Sequence, residues 1–194
     1  MALLSIYTRR PKDALSYQKR ALELDPQSRL VNMGMAIAQL SLGENAQAKA
    51  RLDRLSAEYP ESATIKFWKA HAHLCLKESH SAIEEAKEAL TLESSSFMRL
   101  SLAWMYAETG RHSQARELLQ EVEHGTRDDY LRPSEIGAAM LALGETKEGF
   151  KWWEKAAVEK DTGLLMMGGL PWYRKYTALP GWKKIDAKIG IPKQ

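Results

Sequence analysis

Apolar residues recur along this chain at the spacing of amphipathic α-helices. One run places Met33, Ala36, Ile37 and Leu40 on a single helix face. No alternating run bounded by Asn-Gly or Asp-Gly indicates a strand. The pattern predicts a short first helix within residues 1–8. It then predicts helix pairs over 29–42 with 45–58, 63–76 with 79–92, 96–109 with 112–124, and 132–143 with 146–159.

Small residues, turn residues and helix breakers recur in one register. The small residue of the second helix returns at steps of 34, 34, 33 and 34 residues, and that of the first helix lies twelve residues earlier. Small side chains on both helices allow two antiparallel backbones to cross closely. The marks are Ala2, Ala36, Ala70, Ala103 and Gly137 on first helices; Arg9, Gly43, Lys77, Gly110 and Gly144 at turns; Ala14, Ala48, Ala82, Ala115 and Gly149 on second helices; and Pro26, Pro60, Ser94, Arg127 and Asp161 at breaks.

Glycine and proline account for several predicted helix ends. Gly43, Gly110 and Gly144 suit the left-handed residue that follows a helix. Pro60 stops a second helix before the next pair begins. Pro133 suits the first turn of a helix.

This register resembles that of the tetratricopeptide-repeat (TPR) family over residues 1–161. The resemblance implies an all-α fold, a right-handed α-solenoid of antiparallel helix pairs with about four and a half repeats and a C-terminal capping segment. The departures are Lys77 and Ser94 in place of the usual Gly and Pro, and Gly137 and Gly149 in place of Ala.

The register also predicts the domain organisation. A repeat array covers residues 1–162, with a partial repeat near 1–28 and further repeats near 29–62, 63–95, 96–129 and 130–162. Residues 163–194 form a helical cap. A solenoid leaves its last apolar face open, so a terminal segment is needed to cover it.

The C-terminal third resembles the terminal unit of TPR arrays in bacterial signalling proteins. That resemblance implies that the chain is a C-terminal fragment of a longer regulator, such as a winged-helix transcription activator or an adenylate or guanylate cyclase. It also supports an alternative function, a regulatory domain that self-associates as a homodimer. The residues that carry the resemblance are Pro171 and Tyr173; Pro180, Trp182 and Ile185; and Ile189, Gly190 and Ile191.

Apolar residues of the tail predict its capping role. Capping is assigned to Trp172, Tyr173, Trp182, Ile185 and Ile189. Lysine and arginine residues lie between these positions and would face solvent. A basic docking patch on the same segment is the functional alternative.

The TPR resemblance implies a concave groove lined by the first helix of each repeat. When the family's groove positions are transferred to this sequence, the residues at those positions are largely apolar and aromatic. This lining argues against the capture of a carboxylate by polar groups. Such a lining favours an amphipathic helix or an apolar peptide of a protein partner, held by aromatic anchors. The predicted groove residues, called the inner-face positions below, are Leu30, Met33, Ile37, Phe67, His71, Phe97, Leu100, Trp104 and Ala138.

Two other interpretations of the inner-face positions stay open. In the first alternative, these side chains pack on the neighbouring repeat, because apolar residues at helical spacing often belong to the protein core. In the second, the groove holds the chain's own tail or the end of another copy.

Composition gives no sign of catalysis or cofactor binding. The 194 residues carry a net charge of +3, too little to indicate direct nucleic-acid contact. His71 and Cys75 share a helix face, but no further ligands with zinc-site spacing accompany them, so no metal is predicted. No nucleophile elbow, dinucleotide fingerprint or complete phosphate loop is present. We therefore expect no enzyme activity and no cofactor.

Localisation is predicted from what the sequence lacks. No apolar run approaches the length of a membrane span, and the N-terminus does not resemble a signal peptide. Cys75 is the sole cysteine, so no internal disulfide forms. The cytoplasm is the expected compartment, or the periplasm if the chain belongs to a membrane-anchored regulator.

Overall fold

The computed structural model describes residues 2–124 and 130–190, which contain helices and no strand. The predicted breaker Arg127 and residues 191–194 of the predicted cap lie outside the described residues. The chain divides into two compact units. Unit 1 is Met1–Leu92 with Gly169–Trp172, and unit 2 is Glu93–Gly168 with Tyr173–Gln194.

Unit 1 is built from consecutive helices joined by short connections, and each helix packs on the next. Short connections between packed helices make neighbours antiparallel. Its interior is apolar, with Ile37, Leu40, Leu52 and Ile83 almost fully buried. The helices are α1 Ala2–Tyr7, α2 Pro11–Leu24, α3 Arg29–Leu42, α4 Asn45–Glu58, α5 Ala63–Cys75 and α6 Ser79–Leu92.

Unit 2 contains two long helix pairs and most of the C-terminal segment. Its first helices pack on each other and on their second helices. The helices are α7 Ser96–Glu108, α8 His112–His124, α9 Pro133–Ala142, α10 Thr146–Val158, α11 Gly163–Gly169, a 3₁₀ turn Pro171–Tyr173, α12 Arg174–Thr177 and α13 Trp182–Ile189. Residues Gly169–Trp172, which include the end of α11 and the start of the 3₁₀ turn, belong to unit 1.

The helices confirm the predicted register. Each predicted pair is observed with bounds that agree to within one residue, and α9 begins at Pro133 as expected. The left-handed turn positions are also confirmed. The backbone φ angle is +82° at Gly43, +79° at Gly110 and +83° at Gly144, and it is +64° at Arg9 and +63° at Lys77.

Small residues permit a close helix crossing in the last repeat. A Cβ atom at Gly137 would lie 2.9 Å from the carbonyl oxygen of Gly149, and one at Gly149 would lie 3.0 Å from that of Gly137. Both distances are tighter than ordinary Cβ contacts. The replacement of the family's alanines by glycine at these two positions therefore has a steric reason, because α9 and α10 approach with their backbones in contact.

Candidate partner-binding site

The inner-face positions of unit 1 differ widely in exposure. Ile37, Phe67 and His71 are buried, with exposed fractions of 1%, 7% and 2%. Met33 is half-buried, and Leu30, at the start of α3, is 66% exposed. The surface available to a partner in this unit therefore begins at Leu30 and Met33. The deeper positions contact other groups of the same unit.

His71 is covered by an indole from the C-terminal segment. The ring centroids of His71 and Trp172 lie 4.8 Å apart, and those of Trp68 and Trp172 lie 6.3 Å apart. Nδ1 of His71 lies 2.9 Å from the carbonyl oxygen of Phe67, which accepts a hydrogen bond when Nδ1 carries the proton. Within unit 1, an inner-face position thus contacts the chain's own tail, one of the alternatives that the sequence left open.

The main chain of the tail also approaches α1. A Cβ atom at Gly169 would clash with the carbonyl oxygen of Ile6, so glycine is the residue that this contact accommodates. The sequence did not indicate this contact. Trp68, the second partner of Trp172, was missed as well, because it lies one residue after Phe67 and outside the inner-face register.

Burial favours the neutral forms of His71 and Cys75 on α5. It lowers the pKa of His71 to about 4, although the hydrogen bond to Phe67 acts in the opposite direction, and it raises the pKa of Cys75 to about 11. His73 instead lies with Nδ1 2.5 Å from a carboxylate oxygen of Glu78. Across residues 2–124 and 130–190, no three His, Cys, Asp or Glu side chains are grouped to hold a metal ion.

The inner-face positions of unit 2 are also largely buried. Leu100, Trp104 and Ala138 are almost inaccessible, and Phe97 is half-buried beneath the guanidinium of Arg132, 5.7 Å from its ring centroid. The rings of Trp104 and Tyr173 lie 5.0 Å apart. As in unit 1, part of the C-terminal segment therefore contacts an inner-face position.

Glu108 on α7 makes polar contacts with two C-terminal residues of unit 2, Lys175 and Tyr176. Lys175 lies with Nζ 2.6 Å from a carboxylate oxygen of Glu108, and the hydroxyl of Tyr176 donates to the other oxygen. Burial, followed by the negative charge of Glu108, raises the pKa of Tyr176. The phenol therefore stays protonated and remains a donor.

The residues assigned to capping pack within their units. In unit 2, Tyr173, Trp182 and Ile185 are buried and Ile189 is half-buried. In unit 1, Trp172 is half-buried over α5.

Trp153 of α10 lies at the centre of the aromatic packing in unit 2. It is fully buried, with ring centroids 5.2 Å from Trp182 and 6.5 Å from Tyr176. Its indole N–H donates to the carbonyl oxygen of Ser134, 2.9 Å away. The adjacent Trp152 is more accessible, and Lys155 Nζ lies 4.8 Å from its ring.

Glu135 is a buried carboxyl group beside a polar network at the start of α9. Asp161 accepts from the backbone N–H and the hydroxyl of Ser134, at 3.0 and 2.6 Å. Glu135 itself is 2% exposed, and its Oε1 atom makes no hydrogen bond to a described residue. Burial raises the pKa of Glu135 to about 7, although nearby Arg132 acts in the opposite direction.

No helix in the described ranges is long and apolar enough to cross a membrane.

Comparison with known proteins agrees with the helix-pair architecture. Residues 7–74 match the model of the tetratricopeptide repeat. No curated protein matches the sequence significantly.

Several solved structures share the fold at low sequence identity. The thermophilic TPR protein TTC0263 of Thermus thermophilus is 22% identical, with a TM-score of 0.66 over 88% of this chain and 92% of that one. MamA is 18% identical, with a TM-score of 0.53 over 83% and 95%. A chain of the APC/C hetero-tetramer Cut9-Hcn1 is 16% identical, with a TM-score of 0.64 over 96% and 38%.

Proposed function

We propose, from the premise that this chain is a tetratricopeptide-repeat protein, that it binds an apolar peptide or helix of a protein partner at the inner-face positions. TPR folds are typical of protein-interaction modules and are generally non-catalytic. The proposal accordingly includes no reaction, metal or cofactor.

One observation supports this proposal above others, the packing of Trp172 against Trp68 and His71. It indicates that the face of α5 accepts an aromatic side chain from an irregular segment. Aromatic side chains in well-packed pockets are frequent anchors of protein interfaces. A partner segment with an aromatic anchor would replace Trp172 there and would extend towards Met33 and the exposed Leu30.

A pull-down from extract of the source cells tests the proposal. Wild type, Met33→Glu, Trp172→Ala and the control Leu24→Glu are compared after circular dichroism shows that each is helical. Leu24 is 84% exposed and lies outside the inner-face positions, so its substitution adds the same charge elsewhere in unit 1. We expect the same partner to be lost by Met33→Glu, retained by Leu24→Glu and captured in larger amount by Trp172→Ala.

Retention of the partner by folded Met33→Glu would contradict binding at the inner-face positions. Equal loss in Leu24→Glu would show a general effect of charge. The alternative function, self-association of a regulatory domain, predicts a homodimer formed through residues 1–26. Sedimentation equilibrium of the wild-type chain distinguishes it from a monomeric interaction module.

A further inference from the structure

A polar cavity in unit 1 lies away from the inner-face positions. Its volume is about 390 Å³, and it is partly open to solvent and bounded by the connection between α2 and α3 and by one side of α4. The side chains that matter in its wall are Asn32, Arg51, Arg54, Glu58 and Tyr59. Arg51 and Arg54 are three residues apart on α4, so they project from the same helix face.

Arg51 is held in place by a chain of hydrogen bonds. Its Nη1 donates to Oδ1 of Asn32 at 2.5 Å. The amide nitrogen of Asn32 donates in turn to the carbonyl oxygens of Pro26 and Ser28, at 2.9 and 3.0 Å. This network orients the guanidinium. Its Nε atom, however, is buried and has no hydrogen-bond partner among the described residues.

The positive charge in the cavity is incompletely neutralised. No ion pair joins Arg51 or Arg54 to any carboxylate in the described ranges. Burial and the neighbouring charge of Arg54 both lower the pKa of Arg51. Glu58 is the acidic group in the same wall, so two guanidinium groups face one carboxylate. An anion would relieve the repulsion between the arginines and would accept hydrogen bonds from their solvent-accessible Nη–H groups, since the buried Nε–H of Arg51 is out of its reach.

We propose that this cavity is a binding site for an oxyanion, a phosphate or carboxylate group, held between the guanidinium groups of Arg51 and Arg54. Planar guanidinium donors match the geometry of both groups. Arg51 provides the preorganised donor and Arg54 adds an exposed second one. The negative charge of Glu58 weakens the binding of an anion. The site lies on a second helix of a repeat, so it differs from a carboxylate clamp on the inner face and does not rest on the proposed function.

NMR spectroscopy of the arginine Nε–Hε signals tests this site. The whole chain is titrated with inorganic phosphate, with an acetyl-Gly-phosphoserine-Gly-amide peptide and with its unphosphorylated form, at constant ionic strength in sodium chloride. We expect a saturable shift of the Arg51 signal with phosphate, with the phosphopeptide or with both, and none with the unphosphorylated peptide. A response to phosphate alone identifies a free anion as the ligand, and a response to the phosphopeptide identifies a peptide-borne group.

Three variants make the result specific. Arg54→Gln should weaken binding by about tenfold, because one charge-assisted contact is lost, and Glu58→Gln should strengthen it by a few-fold. Arg174→Gln makes the same charge change at an exposed position of unit 2 and should leave binding unchanged. The proposal is wrong if neither phosphate nor phosphopeptide shifts the signal. It is also wrong if Arg54→Gln and Arg174→Gln reduce affinity equally.

Discussion

Unit 1 and unit 2 each contain an ionisable side chain that is 2% exposed, but the two groups have opposite proton chemistry. His71 in unit 1 and Glu135 in unit 2 are both 2% exposed. Burial disfavours the charged form of each, so it lowers the pKa of His71 to about 4 and raises that of Glu135 to about 7. A buried histidine and a buried glutamate together can give a stability with little net pH dependence, because their contributions vary with pH in opposite directions.

The largest expected effect comes from opening the interior of unit 2. Trp153 is fully buried, and its indole N–H binds the carbonyl of Ser134, the residue before Glu135. We expect Trp153→Ala to lower the free energy of unfolding by about 3–5 kcal/mol, because it leaves a large cavity in the interior of unit 2. Urea denaturation at pH 7 measures the change.

The adjacent tryptophan provides a matched control for that experiment. Trp152 is half-buried, and its described ring partner is the Lys155 ammonium group. Trp152→Ala should therefore cost about 1 kcal/mol, the order of an exposed cation–π contact with partial burial. Equal losses in the two variants would contradict the central role of Trp153 in unit 2.

His71 should make the protein less stable in acid. Its pKa is about 6.5 when unfolded and about 4 when folded, so the unfolded chain binds the additional proton between these values. The stabilisation is complete above pH 6.5 and is lost as the pH falls towards 4, with a total of about 3 kcal/mol. His71→Gln removes this dependence. The check is the difference between wild type and variant in urea denaturation at pH 4.5, 5.5 and 6.5.

Glu135 should produce the opposite slope. Its pKa is about 4.5 when unfolded and about 7 when folded, so the folded chain retains a proton that the unfolded chain releases. The stabilisation is complete below pH 4.5 and is lost as the pH rises towards 7, again about 3 kcal/mol in total. Glu135→Gln should therefore be more stable relative to wild type at pH 7 than at pH 4.5. A constant difference would show that the carboxyl is ionised in the folded protein.

The sequence predicted the helices better than it predicted the environment of these groups. The bounds of α3 and α4 follow from local marks, since small residues, turn glycines and prolines act within one helix pair. The cover over His71 comes from Trp172, about a hundred residues later in the chain, and helical spacing carries no information about such a contact. The same limit applies to Trp104 and Tyr173, whose ring contact is not encoded in the repeat register.

Removing the cover of His71 should weaken the acid sensitivity of unit 1. Trp172→Ala allows water to reach the imidazole, so the pKa of His71 should rise from about 4 towards 6.5. Because Trp172 is half-buried, the loss of stability should be about 1–2 kcal/mol. NMR titration of the His71 ring protons measures the pKa, and Trp172→Phe, which retains an aromatic cover, should leave it low. An unchanged pKa in Trp172→Ala would show that other groups bury the imidazole.

The smallest expected effect concerns the turns, where the units also differ. At the repeat turn positions, unit 2 has Gly110 and Gly144, whereas unit 1 includes Lys77 with a φ angle of +63°. A non-glycine residue in the left-handed conformation costs about 1–2 kcal/mol, so its replacement by glycine removes this strain. Part of the resulting stabilisation is lost, because glycine has more conformational freedom in the unfolded chain.

Lys77→Gly should therefore stabilise the protein by about 0.5–1 kcal/mol, whereas the reverse change Gly110→Lys should destabilise it by a similar amount. Urea denaturation of both variants at pH 7 tests the pair. Lys77 is exposed and Gly110 has open space around its Cβ position, so neither substitution alters core packing. Destabilisation by Lys77→Gly would mean that the lysine side chain contributes more than the left-handed backbone costs. The difference between the turns of the two units would then reflect side-chain contacts and not backbone strain.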